Sequence, residues 1–167
     1  PGPAPADECG TKEDALVVAK CQLTLGTDFQ EYIGLPGDID WFSVKLPGGL
    51  TARSLLHVNA GYGTPSTPVS LSLVVMDEAG KAVAVGVDKH GQASPKPIDL
   101  IVRYGVSNAR LLLLLRDDQN GQHYDYRSPY RVKVEVVDDP DTNEPNDTAP
   151  TVLPLTAQGS RLAGTQK

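Results

Sequence analysis

With 167 residues, the chain has room for one domain of ordinary size plus a remainder, and it can bury a sound core without metals or many disulfides. Its 15 basic and 21 acidic residues give a formal charge of −6 with no basic block, which excludes a nucleic-acid partner that would have to bring phosphates against that repulsion. Apolar residues are 40 % of the chain, 16 Gly and 14 Pro interrupt it too often for long helices, and no apolar run approaches the ~20 residues of a membrane span.

The opening Pro1-Gly2-Pro3-Ala4-Pro5-Ala6 reads as a Pro-rich spacer over 1–6, of the kind that tethers a folded module to an anchor or a preceding domain. Residues 7–26 are ambiguous. Lys12-Glu13-Asp14 offers the acidic first turn of a helix, but Ala15 to Ala19 fits one helical turn or a short strand, so the reading is an irregular wrap pinned by cysteines. Cys9 and Cys21 lack the second pair that a zinc site needs, and His57, His90 and His123 are scattered. The expectation is therefore a Cys9–Cys21 disulfide, worth roughly 3 kcal/mol on the chain-entropy model, in a protein of an oxidising compartment.

Strand signals follow at regular spacing over 29–34, 39–46, 50–58, 69–77, 81–88, 98–104, 109–116 and 130–137. About eight strands between Gly, Pro and Asn turns predict an antiparallel, jelly-roll-like β-sandwich spanning 7–137. In the stretch from Gly37 to Leu46, alternation puts Asp40, Phe42, Val44 and Leu46 on one face and Ile39, Trp41, Ser43 and Lys45 on the other. The first face is core with Asp40 at its rim, so that carboxylate either stays at the solvent edge or finds donors, an Arg or a metal. Gly80 supplies the turn of a hairpin between 71–75 and 83–87, and a second, long hairpin is expected between 111–115 and 130–136. Its connection, from Asp117 to Pro129, exceeds what a hairpin needs and holds Tyr124 and Tyr126, which makes those tyrosines candidate ligand-binding residues.

After Val137 the composition shifts to an acidic, Pro-interrupted linker over 138–148. The remainder echoes the beginning: Asn143-Glu144-Pro145 aligns with Asp7-Glu8-Cys9, and Leu153-Pro154-Leu155 with Leu23-Thr24-Leu25. Residues 149–167 are thus either the start of a second, truncated repeat or a tail that folds back over an open sheet edge.

Three segments resemble the bacterial pre-peptidase C-terminal domain, a secreted β-sandwich module related to the collagen-binding domains of clostridial collagenases. They are Glu144-Pro145-Asn146-Asp147-Thr148, the stretch from Gly37 to Gly49, and Tyr130-Arg131-Val132-Lys133-Val134. In calcium-binding members, carboxylates of the opening segment and of the Gly-Asp-x-Asp turn jointly hold the ion. The resemblance therefore implies Glu8, Asp38 and Asp40 as metal ligands, with Glu144, Asn146 and Asp147 as their partial counterpart in the second copy. Cys9, Gly10 and Thr11 stand where the pattern puts Pro, Asn and Asp, so the cofactor is either calcium or none, the disulfide then fixing the N-terminal segment instead.

No Gly-x-Ser-x-Gly, His-Glu-x-x-His or phosphate loop is present, and Asp38 and Asp40 lie on one strand rather than across a cleft, so no enzyme is expected. The sequence reads as a non-catalytic extracytoplasmic binding, adhesion or spacer module of a bacterial multidomain or lipid-anchored surface protein. Its partner would be a protein or polysaccharide at the cell surface. The alternative is an accessory or chaperoning domain of a secreted protease.

Overall fold

A computed structural model describes residues 8–48, 50–51, 54–63, 66–88, 96–103, 110–138 and 152–153; the spacer and most of the C-terminal linker and tail lie outside the described residues. The strands are β1 (Gln22–Leu23), β2 (Phe29–Glu31), β3 (Ile39–Lys45), β4 (Ser54–Tyr62), β5 (Leu71–Met76), β6 (Ala82–Val87), β7 (Ile98–Val102), β8 (Arg110–Asp117), β9 (Tyr130–Asp138) and β10 (Val152–Leu153). They form two five-stranded sheets, ordered β1-β3-β8-β5-β6 and β10-β7-β4-β9-β2. The fold is an all-β sandwich, antiparallel except where β1 runs parallel to β3.

The core lies between the sheets. Phe42, Val44, Leu73, Val75, Leu111, Leu113 and Leu115 of the first sheet are buried there with Leu56, Val58, Leu100, Val132 and Val134 of the second. Phe29 meets Phe42 edge to face, with ring centroids 5.2 Å apart. β8 is a continuous leucine run because its outer face is covered too: Leu112 is buried with Met76 beneath Ala15 of a short helix, α1 (Lys12–Val17). That helix starts at a reciprocal cap, in which Thr11 Oγ1 accepts from the Asp14 N–H and Asp14 Oδ2 accepts from the Thr11 N–H. It is tied down by the Ser43 hydroxyl, which donates to the Ala15 carbonyl, and by the Cys9–Cys21 disulfide.

Two expectations change. The N-terminal segment is a capped helix rather than an irregular wrap, because covering Leu112 rewards the helical alternative. The stretches around 111–115 and 130–136 do not form a hairpin: β8 belongs to one sheet and β9 to the other, so the segment between them crosses the end of the sandwich. The hairpin of β5 and β6 is as expected, with Gly80 at φ +89° and Asp77 Oδ1 accepting from the Ala79 and Lys81 N–H groups. Val152 and Leu153 pair antiparallel with Val102 and Ile101 at the edge of β7.

Candidate functional site

The Gly-Asp-x-Asp stretch buttresses the long crossing loop, residues 118–129. Gly37, at φ +80°, donates its N–H to the Gly121 carbonyl at 2.7 Å. Asn120 and Gly121 both adopt positive φ there, and a Cβ on Gly121 would stand 3.2 Å from the Gly37 Cα, so the left-handed backbone and the close approach both favour glycine at 121. Asp38 holds its own turn by accepting from the Gly34 N–H at 2.8 Å, and the adjacent Ile33 carbonyl accepts from the Asp125 N–H at 2.7 Å.

Buried acids anchor the same loop at its ends. Asp117 is wholly buried; its Oδ1 accepts from the Ser70 N–H and its Oδ2 from the His123 N–H, both at 3.1 Å. The His123 Nδ1 lies 3.4 Å from that second oxygen without hydrogen-bonding geometry. At the far end Asp40, only 2 % exposed, accepts from the Tyr130 hydroxyl at 2.6 Å. Asp40 therefore does not stay at the solvent edge: its donor is a tyrosine that opens β9. Burial, and next the Asp40 charge, hold the Tyr130 hydroxyl well above its ordinary pKa. The Tyr62 ring stacks edge to face on Tyr130, and burial raises its hydroxyl pKa too.

Within the loop, Asp125 Oδ1 accepts from the Arg127 and Ser128 N–H groups at 2.9 and 3.0 Å, a local turn that fixes the backbone around Tyr126 and Arg127. The result is a cleft of about 480 Å³, lined by Ser66, Pro68, Tyr124, Tyr126, Arg127 and Ser128 among others. Tyr124 is 42 % exposed, and the Arg127 guanidinium lies 5.4 Å from the Tyr126 ring centroid. Both tyrosines picked out in the sequence thus line one cleft. Arg127, Asp125 and Asp117 were missed, although Asn120-Gly121 and an Asp two residues before Arg127 are recognisable turn signals.

Each of the three residues implied as calcium ligands has a donor of its own. Glu8 is bound by Lys20 Nζ at 2.8 Å, Asp38 by a backbone N–H and Asp40 by Tyr130. Among the described residues no three His, Cys, Asp or Glu side chains are arranged to hold a metal, and this arrangement does not fit an ion that takes six to eight oxygens. Lys20 also lies 3.9 Å from Glu31 Oε2, and the hydrogen bond to Glu8 raises the lysine's pKa. Glu144, Asn146 and Asp147 lie outside the described residues.

Two further features lie on the outer faces. His57 sits across strands, with Nε2 against Asp99 of β7 and Nδ1 3.3 Å from Glu135 of β9. On the other sheet Trp41, Leu114, Val74 and Val85 are direct cross-strand neighbours, an apolar row that runs from beneath α1 to Val85, 52 % exposed on β6.

No family model matches the chain, and no curated protein matches it. Among solved structures, the chain is similar to the crystal structure of the pre-peptidase C-terminal domain of collagenase from Bacillus anthracis, the kind of domain that the sequence segments resemble. The match has 15 % identity over 68 % of this chain and 92 % of that one, with a TM-score of 0.45. At that level the likeness carries no functional argument. Among the described residues no helix is long and apolar enough to cross a membrane.

Proposed function

We propose that this chain is a non-catalytic extracytoplasmic binding module of a bacterial surface protein, and that loop 118–129 carries its ligand contact. The observation behind this reading is a loop fixed at both ends by the buried acceptors Asp117 and Asp40 and within by the half-buried Asp125, while Tyr124 and Arg127 stay accessible. Anchoring of that kind lowers the entropy lost when a ligand orders the loop, and tyrosine adds contact area at little further entropic cost. An extracytoplasmic location is supported by the Cys9–Cys21 bond, which suits an oxidising compartment. The absence of catalysis is supported by the carboxylates around the loop. Asp40, Asp117 and Asp125 accept hydrogen bonds that hold the chain's own structure, so none of them stands as a general acid or base facing a second one. In place of an ion, the disulfide and the Lys20–Glu8 pair fix the N-terminal segment.

The test is a screen of immobilised glycans and peptides with the wild type and a Tyr124→Ala/Tyr126→Ala double variant. The expected result is a ligand retained by the wild type and lost by the variant at an unchanged melting temperature. Ligands held equally by both would move the binding surface elsewhere.

A further inference from the structure

We propose that the ligand of this cleft is an acidic glycan built of hexuronate residues, its carboxylate received by Arg127 and a sugar face by Tyr124. The proposal rests on the reading of loop 118–129 as the binding site and adds the chemistry of what it binds.

Charge argues first. The chain has a formal charge of −6, yet the cleft presents a guanidinium. Arg127 is exposed, lies over the Tyr126 ring and donates from Nη2 to the Tyr126 hydroxyl at 3.4 Å; no carboxylate pairs with it among the described residues. Asp118 is exposed at the start of the loop, and the two other acids of this region, Asp125 and Asp117, accept bonds from the chain's own backbone. Asp125 Oδ1 takes two backbone N–H groups, and both oxygens of Asp117 are enclosed with Ser70 and His123. A guanidinium held by an aromatic ring, with its remaining N–H donors facing solvent, matches a planar carboxylate in bidentate fashion. A single such group suits one carboxylate per sugar; dianionic phosphate and dense sulfate are ordinarily met by clusters of cations.

The rest of the lining argues for a sugar rather than a peptide. An extended peptide draws much of its affinity from main-chain hydrogen bonds to a sheet edge, and this cleft is walled by a turn-rich loop and the 66–68 segment instead of a strand. What it offers are side-chain hydroxyls and amides, from Ser128 and Gln122, around the accessible Tyr124 ring. A pyranose presents the complement: hydroxyls at its rim and an apolar C–H face.

The experiment is a titration of isotope-labelled protein with trigalacturonate, maltotriose, a short oligo-glutamate peptide and a keratan sulfate oligomer, which carries sulfate but no uronate, followed by amide shifts. Trigalacturonate is expected to shift the amides of 122–128 and to weaken with added salt, with maltotriose about tenfold weaker or more. Arg127→Gln should weaken trigalacturonate by about 10- to 100-fold, the range for a charge-assisted hydrogen bond, and Arg127→Lys by less. Tyr124→Ala should cost about fivefold to tenfold as a lost ring contact, and Tyr124→Phe, which keeps the ring, should recover most of that loss. Because both side chains are exposed, all four variants should keep the wild-type melting temperature. If maltotriose binds as well and Arg127→Gln is silent, the uronate assignment is overturned while the cleft stands. Equal or tighter binding of the peptide or the sulfated oligomer overturns it in favour of that class. If no arm shifts 122–128, both the assignment and the cleft reading fail.

Discussion

Two corners of the sandwich lean on the same stretch of chain and are held in opposite ways. At one, the Trp41 N–H donates to the Cys9 carbonyl at 2.6 Å, and a disulfide and a packed helix close the corner. At the other, the Gly37 N–H donates to Gly121, and buried carboxylates hold the loop. The covalent corner buries what it fixes: Cys9, Cys21 and Ala15 are wholly enclosed. The hydrogen-bonded corner spends acceptors, not side-chain area, so Tyr124 and Arg127 remain outside. A corner fixed through backbone N–H groups leaves its side chains accessible, whereas one fixed by packing buries them.

The sharpest way to break this contrast is to remove one anchor at a time. Asp117→Ala leaves the Ser70 and His123 N–H groups without their acceptor, and unsatisfied buried donors at ~1–3 kcal/mol each predict a loss of about 3–5 kcal/mol in denaturant unfolding. Asp117→Asn, which keeps one acceptor oxygen, should lose about half of that. In both, amide exchange should quicken in 118–129 and stay unchanged in α1. Replacing Cys9 and Cys21 by Ala should cost roughly 3 kcal/mol and reverse the pattern, with faster exchange in α1 and unchanged exchange in 118–129. Coupled loosening of both corners in either variant would show them to be one unit.

Tyr130→Phe removes the hydroxyl that Asp40 accepts, and should cost about 1.5–3 kcal/mol as a hydrogen bond to a charged group. It also sets the pH dependence. The Tyr130 pKa is raised in the folded state above its ordinary 10.0, so the unfolded chain gives up that proton first. Its stabilisation is complete below pH about 10 and is lost as pH rises from there toward the folded pKa. Tyr62 and Lys20, both raised, act in the same direction. Alkaline titration of thermal unfolding should therefore fall above pH about 10, less steeply in Tyr130→Phe. An identical slope in the two proteins would remove Tyr130 from the account.

Much of this was legible in the sequence, and the gaps have physical causes. Strand β3 was expected over 39–46 and found over Ile39–Lys45, because alternation and flanking turns are local signals. The strand expected at 50–58 lies at Ser54–Tyr62, where the outward His57 and Asn59, followed by Gly61, obscure the apolar period. Alternation says which face a residue takes but not which sheet its strand joins, and so the 111–136 segment was read as a hairpin. The tyrosines of the loop were visible as types. The donor to Asp40 was not, since Tyr130 lies 90 residues away and only the fold brings it there.

The smallest expected effect concerns calcium, and it bears on why the two corners differ. If an ion joined Glu8, Asp38 and Asp40, it would fix both corners at once and the disulfide would be redundant there. Instead each carboxylate has its own donor: Lys20, the Gly34 N–H and the Tyr130 hydroxyl. An ion bound only to the folded state would add RT ln(1 + [L]/Kd), roughly 2.7 kcal/mol at a hundredfold excess over Kd. The expectation is no shift in melting temperature between chelator and millimolar calcium, either for the wild type or for Asp40→Asn. A shift in the wild type alone would place an ion at the Gly-Asp-x-Asp turn and merge the two corners into one metal-linked unit. A shift of equal size in both would point to the Glu144, Asn146 and Asp147 segment, and leave the disulfide and the buried acids as separate devices.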